Sequence, residues 1–371
     1  MIEKVVFEKA VAFANAGKTT TLKNVTINET HDYYALWITA EGQTIEIDDL
    51  TINSDGRGIK IDEQYVSTPA KVTLKVSNAD FNTENKAAII VKSAAGADIT
   101  LSNVNIADTI DTVHAVWVDE DSADYVDLVT VTGGEKIYES NVVSNATELA
   151  EAVTAGKTNL WLLAGNYDVA SCGGKTLTLN GTKDTILTVK NEGENGMDYG
   201  FDGATVTFNG LTIDTTANGG TYPGYARMTA NFNNCTINGT FNLSSGNKMF
   251  TDCTFNVSGD QYNVWTWGVQ NVTFTNCTFN CDGKSILVYN QACNLTATGC
   301  TFNDNGTISG KAAIETGVDA VGPKYNITLT NCTVNGFDVN SSGSAYQNVI
   351  GNKNNMTADY LNVVIDGVDV Y

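Results

Sequence analysis

Arginine and histidine are almost missing from this sequence. Among 371 residues the only arginines are Arg57 and Arg227, and the only histidines are His31 and His114. The formal net charge is −21. A chain this acidic repels phosphate backbones, whose binding depends on neutralisation by Lys and Arg, so nucleic acid is excluded as a partner. Anionic membrane surfaces are disfavoured for the same reason. No apolar run is long enough for a membrane-spanning helix, and the opening Met1–Glu8 lacks the apolar stretch of a signal peptide. The expectation is a chain without membrane insertion, which either lost a leader or reaches its destination without one. Proline is scarce, at 3 residues, and charged residues make up only 17 %. Cysteine is absent until Cys172, after which all eight occur.

Glycine, with 34 residues, is abundant, as are asparagine and threonine, which favours many short strands joined by tight bends. One five-residue phrase recurs: Asn234-Cys235-Thr236-Ile237-Asn238, Asp252-Cys253-Thr254-Phe255-Asn256, Asn276-Cys277-Thr278-Phe279-Asn280, Gly299-Cys300-Thr301-Phe302-Asn303 and Asn331-Cys332-Thr333-Val334-Asn335. The steps are 18, 24, 23 and 32 residues, a repeat unit of solenoid length. Apolar residues two apart share one strand face, with threonine on the other. Asn, Asp or Gly at the first position suits a left-handed bend. Such strands stack turn upon turn as a parallel β-helix.

The first half carries the same phrase with aliphatic residues, beginning at Asn24, Asp49, Asn78 and Asn103. There the cysteine slot holds Val25, Leu50, Ala79 and Val104. A slot that takes either valine or cysteine is a core slot, so Cys235, Cys253, Cys277, Cys300 and Cys332 are expected as packed, reduced thiols. Repetition also exists at a higher level. Asp55-Gly56-Arg57 parallels Asp282-Gly283-Lys284, Trp37 parallels Trp265, Lys86-Ala87-Ala88-Ile89 parallels Lys311-Ala312-Ala313-Ile314, and Ala123–Asp127 parallels Ala358–Asn362. Residues from about 5 to 137 thus read as a duplicate of about 230 to 371. Between them, Ser144–Val153 has an N-cap, early acidic residues, and Leu149 and Val153 on one face, which predicts a helix near 146–155. A solenoid end needs a cap. The domain expectation is a module over 1–140 lacking its own N-terminal cap, either inside a longer array or against a partner, then a complete capped module over 141–371.

Thr147-Glu148-Leu149, Leu163-Ala164-Gly165-Asn166-Tyr167 and Leu177-Thr178-Leu179, followed by the Asn-Cys-Thr-Phe-Asn coils, resemble the right-handed parallel β-helix, or pectin-lyase-like, superfamily over nearly the whole chain. The resemblance implies an all-β solenoid of two tandem modules. It is less specific for function, because this fold hosts polysaccharide lyases, galacturonases, pectin esterases, adhesins and phage tail or capsid-associated proteins. It runs most to non-enzymatic members from gut bacteria and their phages.

The enzymes of that superfamily indicate which residues to seek. Lyases resemble one another in calcium-binding carboxylates with an Arg or Lys base, and galacturonases in clustered aspartates with Gly-His-Gly and Arg-Ile-Lys phrases. No His-Gly phrase occurs here, His31 falls opposite Gly259 in the second copy, and Arg57 and Arg227 read as solvated surface groups. The densest acidic cluster, Asp119, Asp121 and Asp124, offers hard oxygen ligands to calcium, or else is an exposed loop. Trp265, Trp267, Trp37 and Tyr262 either stack on sugar rings from outside or fill coil core, the placement that burial statistics favour. The sequence therefore leads to a non-catalytic structural or adhesive protein on a virion (phage capsid or tail) or bacterial cell surface, whose partners are other surface proteins and glycans. The alternatives are a polysaccharide lyase or glycoside hydrolase, and a sugar-binding module of the same fold.

Overall fold

The first residue of every phrase makes the bend. In the computed structural model, Asn24, Asp49, Asn78, Asn103, Asn234, Asp252, Asn276, Gly299 and Asn331 all have φ between 52° and 64°. The structure describes the chain apart from residues 84–86, 107–114, 120–125, 170–171, 190–200, 219–226, 269–270, 290, 307, 318–323, 338–345, 347, 353–358 and 371. His114 and parts of two duplicated segments, at Lys86 and at Ala123–Tyr125 and Ala358, lie outside the described residues. The protein is an all-β solenoid of stacked parallel strands in which the described residues form two units. Among those residues no helix is long and apolar enough to cross a membrane.

The first unit comprises Met1–Ser144 and Trp161–Ala164. One sheet runs in the order Ile2–Phe7, Thr19–Glu29, Thr44–Ser54, Val72–Thr83, Ala97–Ile106, Val129–Thr132. The other runs Val11–Phe13, Tyr34–Thr39, Arg57–Asp62, Ile89–Lys92, Ala115–Val118, Glu135–Tyr138. Strands alternate between the two sheets along the chain, and every pairing is parallel, so each coil lies on the one before. Register puts like on like: Ile27, Ile52, Phe81 and Ile106 are aligned and buried. The outer face of the second sheet carries its own apolar cluster, with Ile90, Trp117 and Ile137 packed against Trp161. Trp161 joins this unit because it and Leu162 pair in parallel with Val142 and Val143.

The second unit comprises Asn145–Leu160 and Gly165–Tyr371. Its helix spans Ala146–Thr154. The Asn145 carboxamide oxygen caps the helix by accepting from the Glu148 N–H at 3.0 Å, and its side-chain amide donates to the Glu148 carboxylate at 2.9 Å. Leu149 and Val153 are buried. Parallel strands then stack in three sheets, one from Thr176–Asn180 to Leu361–Ile365, one from Gly165–Asp168 to Thr333–Asn335, and a shorter one from Phe241–Leu243 to Ile350–Asn352. Phe208, Phe232, Phe250 and Phe274 stack with centroids 4.8, 4.5 and 5.0 Å apart, and Phe255, Phe279 and Phe302 at 4.7 Å. On the outside, each of Asn256, Asn280, Asn303 and Asn335 donates its amide to the asparagine one coil back, at 2.9–3.1 Å. The chain folds back at Val368–Asp369, antiparallel to Leu361–Ile365.

All eight cysteines are free. Seven are buried, but Cys332 is only half-buried, contrary to expectation. The reason is its position: among the described residues the neighbouring strand Thr333–Asn335 ends its sheet, so no further strand of that sheet lies over the thiol.

Candidate functional site

Parity along each strand decides where the tryptophans point. Leu36 and Ile38 are buried in the first unit's core, so Trp37 between them faces out; Val264 and Thr266 do the same to Trp265. Both indoles, and Trp267, are half-buried on the outer face. The inward placement favoured by burial statistics is therefore corrected, because core slots of these strands are already filled by smaller residues on either side.

In the second unit Trp265, Trp267 and Tyr289 form a cluster with every centroid separation at 6.2 Å. Asn242 lies beside Trp265 in register, fully buried, with neither its amide nor its oxygen hydrogen-bonded. Tyr262 approaches from the bend before the strand. Its hydroxyl donates to Glu315, a nearly buried carboxylate that also sits 3.5 Å from Lys311. Burial first, then this hydrogen bond and the Glu315 charge, push the Tyr262 phenol well above its ordinary range. The Lys284 ammonium lies over the Tyr262 ring, 5.4 Å from its centroid, and pairs with Asp260. That hydrogen bond and charge hold the Asp260 carboxyl below its usual range.

A polar groove of about 560 Å³ runs alongside, lined by the Asn238, Asn256 and Asn280 ladder with Thr240, Gln261 and Asp282. Gly239, at φ 88°, makes the corner; a Cβ there would come within 2.5 Å of the Thr215 hydroxyl. The groove offers amides and hydroxyls, suited to hydrogen-bonding a hydroxyl-rich ligand.

The first unit has a matching arrangement. Trp37 meets Tyr33 edge-on at 6.5 Å and Tyr65 at 6.4 Å, and Tyr33 meets Tyr34 at 5.7 Å. The Arg57 guanidinium lies 5.3 Å from the Tyr34 centroid and 3.7 Å from the Asp32 carboxylate. Gly56 permits this approach, since a Cβ there would be 2.1 Å from the Tyr33 carbonyl oxygen. Lys60, beside Trp37 in register, sits 4.7 Å from the Tyr34 ring and 5.2 Å from Trp37, and pairs with Asp62. Arg57 is thus a half-buried partner of an aromatic ring rather than a solvated group.

Other candidates are dispersed. The Asp119 carboxylate faces Lys92 at 3.2 Å, and Lys92 also holds Glu139 at 2.8 Å. Asp121 and Asp124 lie outside the described residues. Among the described residues no group of three or more His, Cys, Asp or Glu side chains is placed to hold a metal ion. His31 is exposed, with Nδ1 2.8 Å from the buried Glu29 carboxylate. Burial alone would raise the Glu29 carboxyl, but hydrogen bonds from His31 and the Ala10 N–H outweigh it and hold it low. Arg227 pairs with Asp202 through Nε at 2.9 Å.

The aromatic candidates Trp37, Trp265, Trp267 and Tyr262 therefore fall into two clusters, one per unit. Sequence reasoning missed Asp32, Tyr34, Asp260, Lys284 and Tyr289. Asp32, Tyr34 and Asp260 are marked by spacing from Asn24 and Asp252 that the two copies share, whereas Lys284 is marked only by the parallel between Asp55-Gly56-Arg57 and Asp282-Gly283-Lys284. No protein-family model matches the chain, and no curated protein matches it.

Proposed function

We propose that this chain is a non-catalytic adhesive solenoid, a right-handed parallel β-helix of the pectin-lyase-like kind, displayed on a virion or bacterial cell surface. The observation that carries the reading is repetition on the outside of the coil. Asparagine stands over asparagine and aromatic clusters flank both units, so the surface is periodic, whereas general acid–base chemistry needs singular groups converging on one bond. The right hand is supported by the strong chirality of parallel β-crossovers. A solenoid gains length by adding coils, and a charge of −21 opposes self-association. Such an element presents outward rings on each unit to a surface protein or glycan. The test is an activity screen on pectins, alginates, glycosaminoglycans and host-type glycans, with and without calcium. No turnover is expected; turnover abolished by replacing one carboxylate or Arg227 overturns the proposal.

A further inference from the structure

Packing explains why a duplicated solenoid keeps its core and its bends. It does not explain an outward-facing, partly exposed constellation that has also been kept. Asp32, Tyr34 and Trp37 stand eight, ten and thirteen residues past the bend residue Asn24; Asp260, Tyr262 and Trp265 stand at the same three distances past Asp252. One coil further on, Arg57 and Lys284 take equivalent places over the two tyrosine rings, at 5.3 and 5.4 Å, and each pairs with its aspartate. The aspartates are 65 % and 76 % exposed. Surface ion pairs of this kind add little stability, so folding does not select them. Neighbouring outward positions have diverged freely: Tyr33 against Gln261, Lys60 against Leu287, Ile90 against Glu315, His31 against Gly259. The four-residue set survived while its surroundings changed.

We infer that these are two equivalent ligand sites, one on each unit, and that each takes one neutral pyranose ring of a glycan. This rests on the adhesive reading above and specifies its ligand. The half-buried tryptophan of each site offers an apolar ring to the C–H face of a sugar, beside a tyrosine whose own face the cation already covers. The adjacent aspartate accepts from one hydroxyl, and the Arg or Lys donates to its neighbour, a pairing that vicinal hydroxyls satisfy. A cationic ligand is disfavoured because the chain's own Arg57 and Lys284 already occupy the tyrosine faces. An anionic sugar is disfavoured by the −21 charge. The surroundings grade the two sites: Lys60 and Tyr65 flank the first, Trp267 and Tyr289 the second.

The test is calorimetric titration of the full chain with neutral hexasaccharides of glucose, mannose and galactose, and with polygalacturonate. Two saturable sites per chain for one neutral sugar are expected, with polygalacturonate binding at least tenfold weaker. W37A and W265A should each leave one site, and the double variant none. Unchanged thermal unfolding of the variants separates site loss from misfolding, and W37F and W265F should retain binding. No saturable binding to any neutral sugar, binding that survives the double variant, or a single site indifferent to W37A overturns the inference. Product release measured in the same tubes tests the non-catalytic reading independently, since cleavage sinks that reading without touching the stoichiometry.

Discussion

Lys248 donates from its ammonium to the Ser245 carbonyl at 2.6 Å from inside the coil, where its register partners are Ala230 and Val272. The Met228 carbonyl also accepts from it. A lysine occupies a slot that neighbouring coils give to small apolar residues, and it ties down the bend at Ser244–Gly246. Burial pushes this ammonium down to about 7. In the unfolded chain it titrates near 10.5. Between these values the unfolded state binds more protons, so stability rises with pH from about 7 upward. A gain of about 2 kcal/mol between pH 7 and 9 is expected in urea unfolding, and K248M should flatten it. An equal rise in K248M would refute the assignment.

Phe250 stacks between Phe232 and Phe274, meets Phe241 and Phe255 edge-on, and is fully buried. Its removal opens a cavity that coils above and below are too firmly hydrogen-bonded to close. F250A should therefore cost about 3–5 kcal/mol in chemical denaturation, and F250L considerably less. A loss under 1 kcal/mol for the alanine variant would mean that the ladder is not packed as described.

Asn276 bends the chain at φ 53° and reaches Asp252 through its side-chain amide at 3.2 Å. N276G should be tolerated to within about 1 kcal/mol, whereas N276V forces a β-branched residue into the left-handed region and should cost at least 1–2 kcal/mol more. Equal stability of the two variants would show that the bend conformation is not what asparagine supplies.

These bends were legible in the sequence because each coil spends one residue on them and the phrase recurs. The inward alternation and the capped helix were legible for the same reason, being local. The aromatic sites were not. Arg57 meets Tyr34, and Lys284 meets Tyr262, only after a full coil has returned the chain to the same edge, 23 and 22 residues later. Coil length varies between repeats, so no fixed spacing announces the pairing. Burial statistics also misplaced the tryptophans, since average preference ignores the parity set by Leu36, Ile38, Val264 and Thr266. The tie between Asp119 and Lys92 likewise joins residues far apart in sequence.

Cys332 should be the first thiol of the native protein to react. The ladder thiols donate to backbone carbonyls of their own coil and the coil before; the neighbouring thiol Cys235, together with burial, pushes Cys253 up to about 12, and Cys277, through Cys253 and burial, also stands near 12. At pH 8 such a thiol is thiolate only about one part in 10⁴, and thiolate is the reactive form. Cys332 is raised further still, through Cys300 and then burial, so its priority rests on access alone: of the eight it is the one not fully buried. Ellman's reagent at pH 8 should therefore label native protein slowly and at one site, with C332S silent. Denaturant without reductant should release all eight. Because unfolded thiols ionise near 9 while the buried ones hold their protons to about 11–12, stability should also fall as pH climbs through that window. Several fast thiols in the native state would show that the ladder is open to solvent, and fewer than eight in denaturant would show that some are oxidised.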